Sequence, residues 1–466
     1  MTPLELSQVR SVAPVLLMTL TQGLSLGWSS PAVGKLRAGE GSFAPTLDEI
    51  SWIVSFFSLG ILAGSLVGSA VFARAGRRTT LMLGPVLLAS CSAITFLSSS
   101  AQPLYLARLL GGAGHGVGVS FASIYVAEVS ETAMRGRLIL WTNLQIMAGP
   151  LISYAVGPLL SYRLLALVPL LTASASLFLA LGSGWMQETP FYLASKGRAD
   201  QALAALRALR AGKKDEEIRA ELAAIQKTVK QQASAGSGSL REVFADPVAK
   251  KAACLCLFVT GSFAMLGITT VMVFTQQIVE VAGAPLSPAV CSVLLVAVNI
   301  AAVLGSMPVV ERLGRRTILS GSALGNAASL ATLAGFFVAR DVLGADVSGV
   351  HWLPLACLVS YMASTGMGVV TIPHVLTSEL LPQRAKASVA PLSGALVAIS
   401  AFVLHKSFFI VGRALGFAAP FTFFAAYNLG YSVFVASLVP ETKGKTLAQV
   451  QEMLAASTAD DKKKRN

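Results

Sequence analysis

Long apolar runs recur along almost the whole chain, and they constrain its fold more than any other feature. A helix needs about 20 apolar residues to cross a bilayer. Twelve stretches reach this length, in two groups of six separated by a hydrophilic segment at 187–248. Charged residues make up only 13% of the chain, against about 25% in a soluble domain. We therefore predict an all-α polytopic membrane protein.

Hydrophobicity also predicts how the chain is divided. We expect an N-terminal six-helix bundle at 1–186, a cytosolic helical linker at 187–248, a C-terminal six-helix bundle at 249–439 and a cytosolic basic tail at 440–466. Residues 234–239 of the linker predict a flexible link. The predicted spans are 11–33, 49–72, 80–100, 103–126, 138–160, 163–185, 250–279, 287–310, 317–339, 352–378, 388–412 and 418–438.

The net charge of +13 is concentrated in short gaps between the apolar runs. A nucleic-acid-binding protein would gather its basic residues on one soluble face, so we expect no nucleic acid as a partner. Basic gaps follow the positive-inside rule, and an even number of spans returns the chain to the same side. The pattern predicts a multi-pass protein of the lipid bilayer with both termini in the cytosol.

Three motifs occur twice, once in each half and in the same order. The pairs are Gly76-Arg77-Arg78 with Gly314-Arg315-Arg316, Glu128…Arg135 with Glu379…Lys386, and Glu188-Thr189 with Glu441-Thr442. Three matches in register indicate a duplicated six-helix unit. Parallel repeats of this kind build transporters whose substrate site lies at the interface of the two halves.

The repeated motifs bring acidic and basic residues to the cytosolic helix ends. Positive charge alone would suffice to signal topology, so acids at matching places favour a cytosolic gate. A charge network that forms in one conformation only can bias an inward/outward equilibrium by its differential energy. The predicted gate residues are Arg77, Arg78, Glu128, Arg135, Glu188, Glu311, Arg315, Arg316, Glu379, Lys386 and Glu441.

Other residue patterns exclude several classes of function. The five cysteines lie inside apolar runs and lack metal-ligand spacing. No catalytic dyad, metal cluster or phosphate-binding loop is evident, so we expect neither an enzyme nor a cofactor or metal site. The stripe of Gly60, Gly64 and Gly68 predicts close helix packing.

A wider set of motifs resembles the sugar porter family of the major facilitator superfamily, most closely insect facilitated trehalose transporters and class III facilitative glucose transporters. The resemblance implies the major facilitator fold, with 12 transmembrane helices in two pseudo-symmetric six-helix bundles, and alternating access around a central carbohydrate site. The motifs are Ser29-Ser30-Pro31-Ala32, Arg108, Gly112, Tyr125-x-x-Glu128, Arg135-Gly136, Glu188-Thr189-Pro190-Phe191-Tyr192-Leu193, Glu311-Arg312-x-Gly314-Arg315-Arg316 and Pro440-Glu441-Thr442-Lys443-Gly444-Lys445-Thr446-Leu447.

The resemblance is weakest at the positions that bind sugar in the family. Paired seventh-helix glutamines of the family fall on Phe263 and Ala264, and a tenth-helix tryptophan falls on His374. Losing buried hydrogen-bond partners of this kind costs about 1–3 kcal/mol each, so the substrate stays open. The predicted substrate-binding residues are Asn143, Thr269, Asn299, His374, Gln22 and Gln276.

The first span contains no Asp or Glu. The aspartate of proton-coupled sugar porters falls at about Ser29, so the resemblance favours facilitative uniport of a sugar such as trehalose or a hexose. Two alternatives stay open: a non-transporting sugar receptor or sensor, and a proton-coupled symporter of a polyol. We expect a plasma-membrane location. Ionisable groups inside a bilayer are functional candidates by default, and here we single out His374, His405 and Lys406.

Overall fold

A computed structural model gives the fold of the chain. It describes residues 3–40, 43–182, 184–235, 240–445 and 449–456, with all their side chains except those of 232–235, 307, 311, 383, 384 and 387. Residues 236–239 of the predicted flexible link and residues 446–448 and 457–466 of the predicted basic tail therefore lie outside the described residues. The chain divides into two compact units, unit 1 at Met1–Gly236 and unit 2 at Ser237–Asn466.

The described residues of unit 1 form six apolar spans, the first of them made of α1 and α2, followed by α8, α9 and α10. Its first span is interrupted at Trp28, where α1 ends and α2 begins. The helices are α1 (Pro3–Gly27), α2 (Ser29–Arg37), α3 (Leu47–Ala75), α4 (Arg77–Leu97), α5 (Ala101–Val129), α6 (Thr132–Val156), α7 (Tyr162–Leu181), α8 (Pro190–Ser195), α9 (Ala199–Leu209) and α10 (Asp215–Ala235).

In the described residues of unit 2 all regular secondary structure is also helical. Wider helical turns end one of its spans, at Val338–Val342, and interrupt another, at Thr365–Val369. The helices are α11 (Leu240–Ala245), α12 (Pro247–Gly261), α13 (Ile268–Val273), α14 (Thr275–Ala282), α15 (Pro288–Leu313), α16 (Arg315–Phe337), α17 (Leu353–Ser364), α18 (Ile372–Leu380), α19 (Gln383–Leu415) and α20 (Ala418–Leu438).

Eleven helices in the described part of the chain are long and apolar enough to cross a membrane. They correspond to eleven of the twelve predicted spans. The remaining predicted span, 250–279, falls on a segment that the structure divides into the three short helices α12, α13 and α14. Gly267 breaks it with a φ of +95°, a conformation that favours glycine.

The broken backbone is stabilised by side chains from two other helices. The Leu266 carbonyl accepts hydrogen bonds from the Tyr361 hydroxyl and the Asn428 side-chain amide, both at 3.0 Å. Tyr361 and Asn428 are fully buried. Buried carbonyls need such partners because no water reaches them.

The predicted glycine stripe does bring two helices into close contact. A Cβ on Gly60 would lie 2.2 Å from the Leu109 carbonyl oxygen of α5, and one on Gly64 would lie 2.0 Å from that of Ala113. Neither position can accept a side chain without separating α3 from α5. The interpretation of these glycines as packing residues is confirmed.

The short helices α8, α9 and α10 pack within unit 1. Arg210 is 3% exposed at its side chain, forms an ion pair with Glu221 at 2.7 Å and donates to the Val129 carbonyl at the end of α5, at 2.9 Å. On the exposed face of α10, hydrogen bonds from Arg219 and Arg207 hold the pKa of Asp215 below its ordinary value. The hydrophilic segment therefore attaches to the end of a membrane span.

Candidate functional site

The start of α4 is capped by a carboxylate from a distant part of unit 1. Gly76, with a φ of +96°, precedes the helix and offers no side chain to cap it. Glu188 takes this role: its carboxylate accepts from the backbone N–H of Arg77 at 3.0 Å and of Arg78 at 3.2 Å. A negative charge at a helix N-terminus is favourable because the first N–H groups lack partners within the helix.

A second carboxylate at the end of α5 completes this arrangement. Glu128 pairs with the Arg77 guanidinium, with 3.1 Å between Oε2 and Nε. It also accepts a hydrogen bond from the Thr189 hydroxyl. The Arg77 guanidinium carbon lies 4.3 Å from the Phe72 ring centre. We call Arg77, Arg78, Glu128, Glu188 and Thr189 the unit 1 charge cluster.

The same arrangement recurs in unit 2. Glu441 accepts from the backbone N–H of Arg315 at 2.9 Å and of Arg316 at 3.1 Å, at the start of α16. Glu379 pairs with the Arg315 guanidinium, with 3.2 Å between Oε1 and Nη2, and accepts from the Thr442 hydroxyl. We call Arg315, Arg316, Glu379, Glu441 and Thr442 the unit 2 charge cluster. Two independent copies of one hydrogen-bonding pattern point to a shared role.

The two threonines were missing from the predicted gate. Each follows the capping glutamate directly in sequence, and each donates its hydroxyl to the second carboxylate of its cluster. Their recurrence in Glu188-Thr189 and Glu441-Thr442 was the available signal. Each cluster thus joins the start of one span, the end of another and the segment after a third.

Three predicted gate residues lie outside these bonding patterns. Arg135 is half-buried, and its Nε has no hydrogen-bond partner among the described residues. Lys386 is half-buried and forms no ion pair with any described side chain. The Glu311 side chain lies outside the described residues. Their part in a gate stays a prediction.

A buried arginine inside unit 1 was also missed. Arg108 lies on α5 and is 1% exposed. Its Nη1 donates to the Ser25 carbonyl at 2.9 Å, and its Nη2 donates to the Ser29 hydroxyl at 2.7 Å. The guanidinium carbon lies 4.2 Å from the Phe57 ring centre. The acceptors of this cation are therefore uncharged.

Restricting the intramembrane ionisable candidates to His374, His405 and Lys406 was wrong. Arg108 and His115 both fall inside the predicted span 103–126, and both are buried in unit 1. His115 packs against Phe57, with 5.5 Å between ring centres.

The predicted substrate residues of unit 1 differ in exposure. Gln22 is fully buried, and its side-chain nitrogen lies 3.5 Å from the Gly114 carbonyl oxygen. A Cβ on Gly118 would overlap the Gln22 amide, at 1.3 Å from its nitrogen, so the helices are closely packed here. Asn143 on α6 is exposed. Asn143 is therefore better placed than Gln22 to meet a solute.

The predicted substrate residues of unit 2 also fall into different environments. Asn299 is buried and donates to the Met362 carbonyl at 3.0 Å. Thr269 and Gln276 are half-buried, and the Thr269 hydroxyl has no hydrogen-bond partner in the described part of the chain. His374 on α18 is exposed. Thr269 and His374 therefore retain hydrogen-bonding capacity.

Comparisons with known proteins place this chain in a family. The family of sugar (and other) transporters matches residues 36–454. The facilitated trehalose transporter Tret1 of Drosophila willistoni is 28% identical over 452 residues, which cover 96% of this chain and 51% of that protein. The facilitated trehalose transporter Tret1-2 homolog of Drosophila simulans is 27% identical over 462 residues, which cover 96% of this chain and 91% of that protein. The chain thus spans about half the length of the Drosophila willistoni relative.

Solved structures of the xylose transporter XylE from E. coli are similar in fold. Its inward open conformation aligns with a TM-score of 0.75 at 19% identity, covering 95% of this chain and 98% of XylE. A second structure of XylE, a proton:xylose symporter of the major facilitator superfamily, aligns with a TM-score of 0.74 at 19% identity. The alignment covers 97% of this chain and 99% of XylE. These likenesses confirm the predicted fold class. Because the family match covers most of the chain, this multi-pass membrane protein belongs to the family of sugar (and other) transporters.

Proposed function

We propose that the protein is a facilitative carbohydrate uniporter that works by alternating access. The observation that carries the proposal is the contact between Arg108 and Ser29, at 2.7 Å. Uphill coupling to protons needs a group that gains and loses a proton during the transport cycle. Serine does not titrate in the physiological range, and no ion pair to Arg108 occurs among the described side chains. The names of the trehalose-transporting relatives support the same proposal.

The substrate class we propose is a hydroxyl-rich sugar such as trehalose or a hexose. Sugar hydroxyls need fixed donors and acceptors. Asn143, Thr269 and His374 supply amide, hydroxyl and imidazole groups that are exposed or hold an unused hydrogen-bonding atom. We assign Gln22 to helix packing because none of its surface is exposed.

The two charge clusters are proposed as parts of a cytosolic gate. Each cluster bonds a helix start to a helix end through partly exposed ion pairs, with side-chain exposures of 17% and 15% for Arg77 and Glu128. Partly exposed pairs contribute little to stability by themselves, so they can form and break during a cycle. We place both clusters and both termini in the cytosol, and the protein in the plasma membrane.

Asn143 provides a direct test of the substrate proposal. Asn143→Ala should raise the KM for sugar uptake severalfold, because the loss of one hydrogen bond to substrate costs about 0.5–1.5 kcal/mol. Thr332→Ala is a matched control, since Thr332 is exposed on α16 and its hydroxyl donates to Ala328 of its own helix. An unchanged KM in Asn143→Ala, at equal surface abundance, would remove Asn143 from the site.

A sugar receptor or sensor on the same scaffold is the second candidate. The resemblance to the sugar porter family favours it, because Phe263 and Ala264 stand where that family has paired glutamines. An uptake screen in oocytes with labelled trehalose, glucose, fructose and inositol at two pH values separates the two functions. A uniporter gives flux of at least one sugar that is independent of pH. A receptor gives sugar binding to the purified protein without flux.

A further inference from the structure

We propose that a small cavity in unit 1 binds a single halide-sized anion, held by the Arg108 guanidinium and the Trp28 indole N–H. The cavity lies between α1, α4, α5 and α7. Its polar lining consists of Ser25, Trp28, Cys91, Ser92, Thr95 and Arg108. The proposal does not depend on which sugar the protein carries.

The first argument is a surplus of hydrogen-bond donors. Arg108 Nε and Trp28 Nε1 are both buried, and neither has a partner among the described residues. Both residues line the cavity, and the guanidinium carbon lies 5.3 Å from the Trp28 ring centre. The neighbouring Tyr162, whose ring centre lies 5.9 Å from that of Trp28, also has a buried hydroxyl without a partner in the described chain. Unmet donors need an acceptor.

The second argument is charge. Arginine keeps its charge in proteins, and Arg108 is 1% exposed. Its described acceptors, the Ser25 carbonyl and the Ser29 hydroxyl, are neutral. Charged side chains are almost never fully buried unless they are paired. A water molecule would accept a hydrogen bond but would leave the charge of Arg108 uncompensated. An anion would accept the hydrogen bond and also compensate the charge.

The size and chemistry of the cavity limit the ligand to a single small ion. Its volume is about 10 Å³, which accommodates about one water-sized occupant and no sugar. The Ser92 and Thr95 hydroxyls already donate to carbonyls of their own helix, at 3.0 and 2.8 Å. Arg108 and Trp28 are therefore the donors that remain for an anion, and chloride, an abundant monatomic anion, is the probe for the test.

Thermal unfolding of the purified full-length protein tests the proposal without any sugar. Chloride and bromide should raise the Tm saturably relative to gluconate at equal ionic strength and pH, and radioactive chloride should bind with the same affinity. Trp28→Phe keeps the ring but loses the N–H, so it should weaken chloride binding about tenfold, the equivalent of about 1.4 kcal/mol. Ser29→Asp places a carboxylate beside Arg108 and should abolish the chloride effect.

Trp141→Phe is the matched control, because Trp141 is 40% exposed and lies on α6, away from the cavity lining. It should respond to chloride as the unsubstituted protein does. Equal Tm values in chloride and gluconate together with no chloride binding would mean that the cavity holds water only, and this would overturn the proposal. A chloride response that Trp28→Phe leaves unchanged would also overturn it.

Discussion

Replacing Gly76 with alanine should disrupt the unit 1 charge cluster and reduce sugar uptake about tenfold or more. Gly76 has a φ of +96°, and an added Cβ would lie 2.3 Å from Glu188 Oε2 and 2.8 Å from a ring carbon of Tyr192. Glu188 would have to move, and the Arg77 and Arg78 backbone N–H groups would lose their acceptor. Hydrogen bonds to a charged group are worth about 1.5–3 kcal/mol each, so the loss of stability should be on the order of 3 kcal/mol.

Gly212 separates the effect of the clash from that of backbone strain. Its φ is +93°, and nothing lies within 4 Å of an added Cβ. Gly212→Ala should therefore cost only the strain of a positive φ, about 1–3 kcal/mol, and should leave uptake intact. Gly314→Ala should reproduce the Gly76 defect, because its Cβ would lie 2.5 Å from Glu441 Oε2. Thermal unfolding and uptake that are no worse in Gly76→Ala than in Gly212→Ala would contradict the capping role of Glu188.

Substituting glutamine for Glu128 or Glu379 should produce the second large effect. Each carboxylate accepts from an arginine and from a threonine hydroxyl. Glutamine keeps the shape of the side chain but removes the charge. Because corresponding residues pair in the two clusters, the two substitutions should lower the maximal uptake rate by similar factors, about tenfold each, with little change in KM.

Glu242→Gln is the control for this pair of substitutions. Glu242 is exposed on α11 and belongs to neither cluster, so uptake should be unaffected. Equal surface abundance of all variants is checked by surface labelling. If Glu128→Gln and Glu379→Gln transport as fast as Glu242→Gln, the clusters are structural and play no part in a gate.

Sequence patterns anticipated most of the fold because the bilayer imposes length and hydrophobicity on every span. The packing role of the glycine stripe at Gly60 and Gly64 was also predictable from the sequence, since small residues at helical spacing allow close contact between helices. The break in the seventh span was not, because the run at 250–279 is apolar enough to predict a span and an isolated glycine within it does not by itself indicate a break. The break depends on partners from distant helices, Tyr361 and Asn428, and hydrophobicity does not identify such contacts.

The candidate sites were likewise predictable in part. The repeated acids and arginines were predicted to form a gate network between the two halves; each unit contains a bonded cluster of its own, and the gate stays a prediction. Which atoms pair was not predictable, because Thr189 and Glu128 are 61 residues apart. Arg108 was detectable as a charge inside a predicted span. Its partner was not, because Ser29 lies 79 residues earlier, at the start of α2, and only tertiary packing brings the two together.

Transport by the purified protein in liposomes under an imposed pH gradient tests the uniport proposal most directly. With labelled trehalose or the best sugar from the uptake screen, the internal concentration should rise to the external concentration and stop there. The final level should be the same with and without the gradient, because Ser29 gives Arg108 a neutral partner. Accumulation above the external concentration that a protonophore abolishes would contradict facilitative transport and establish proton coupling.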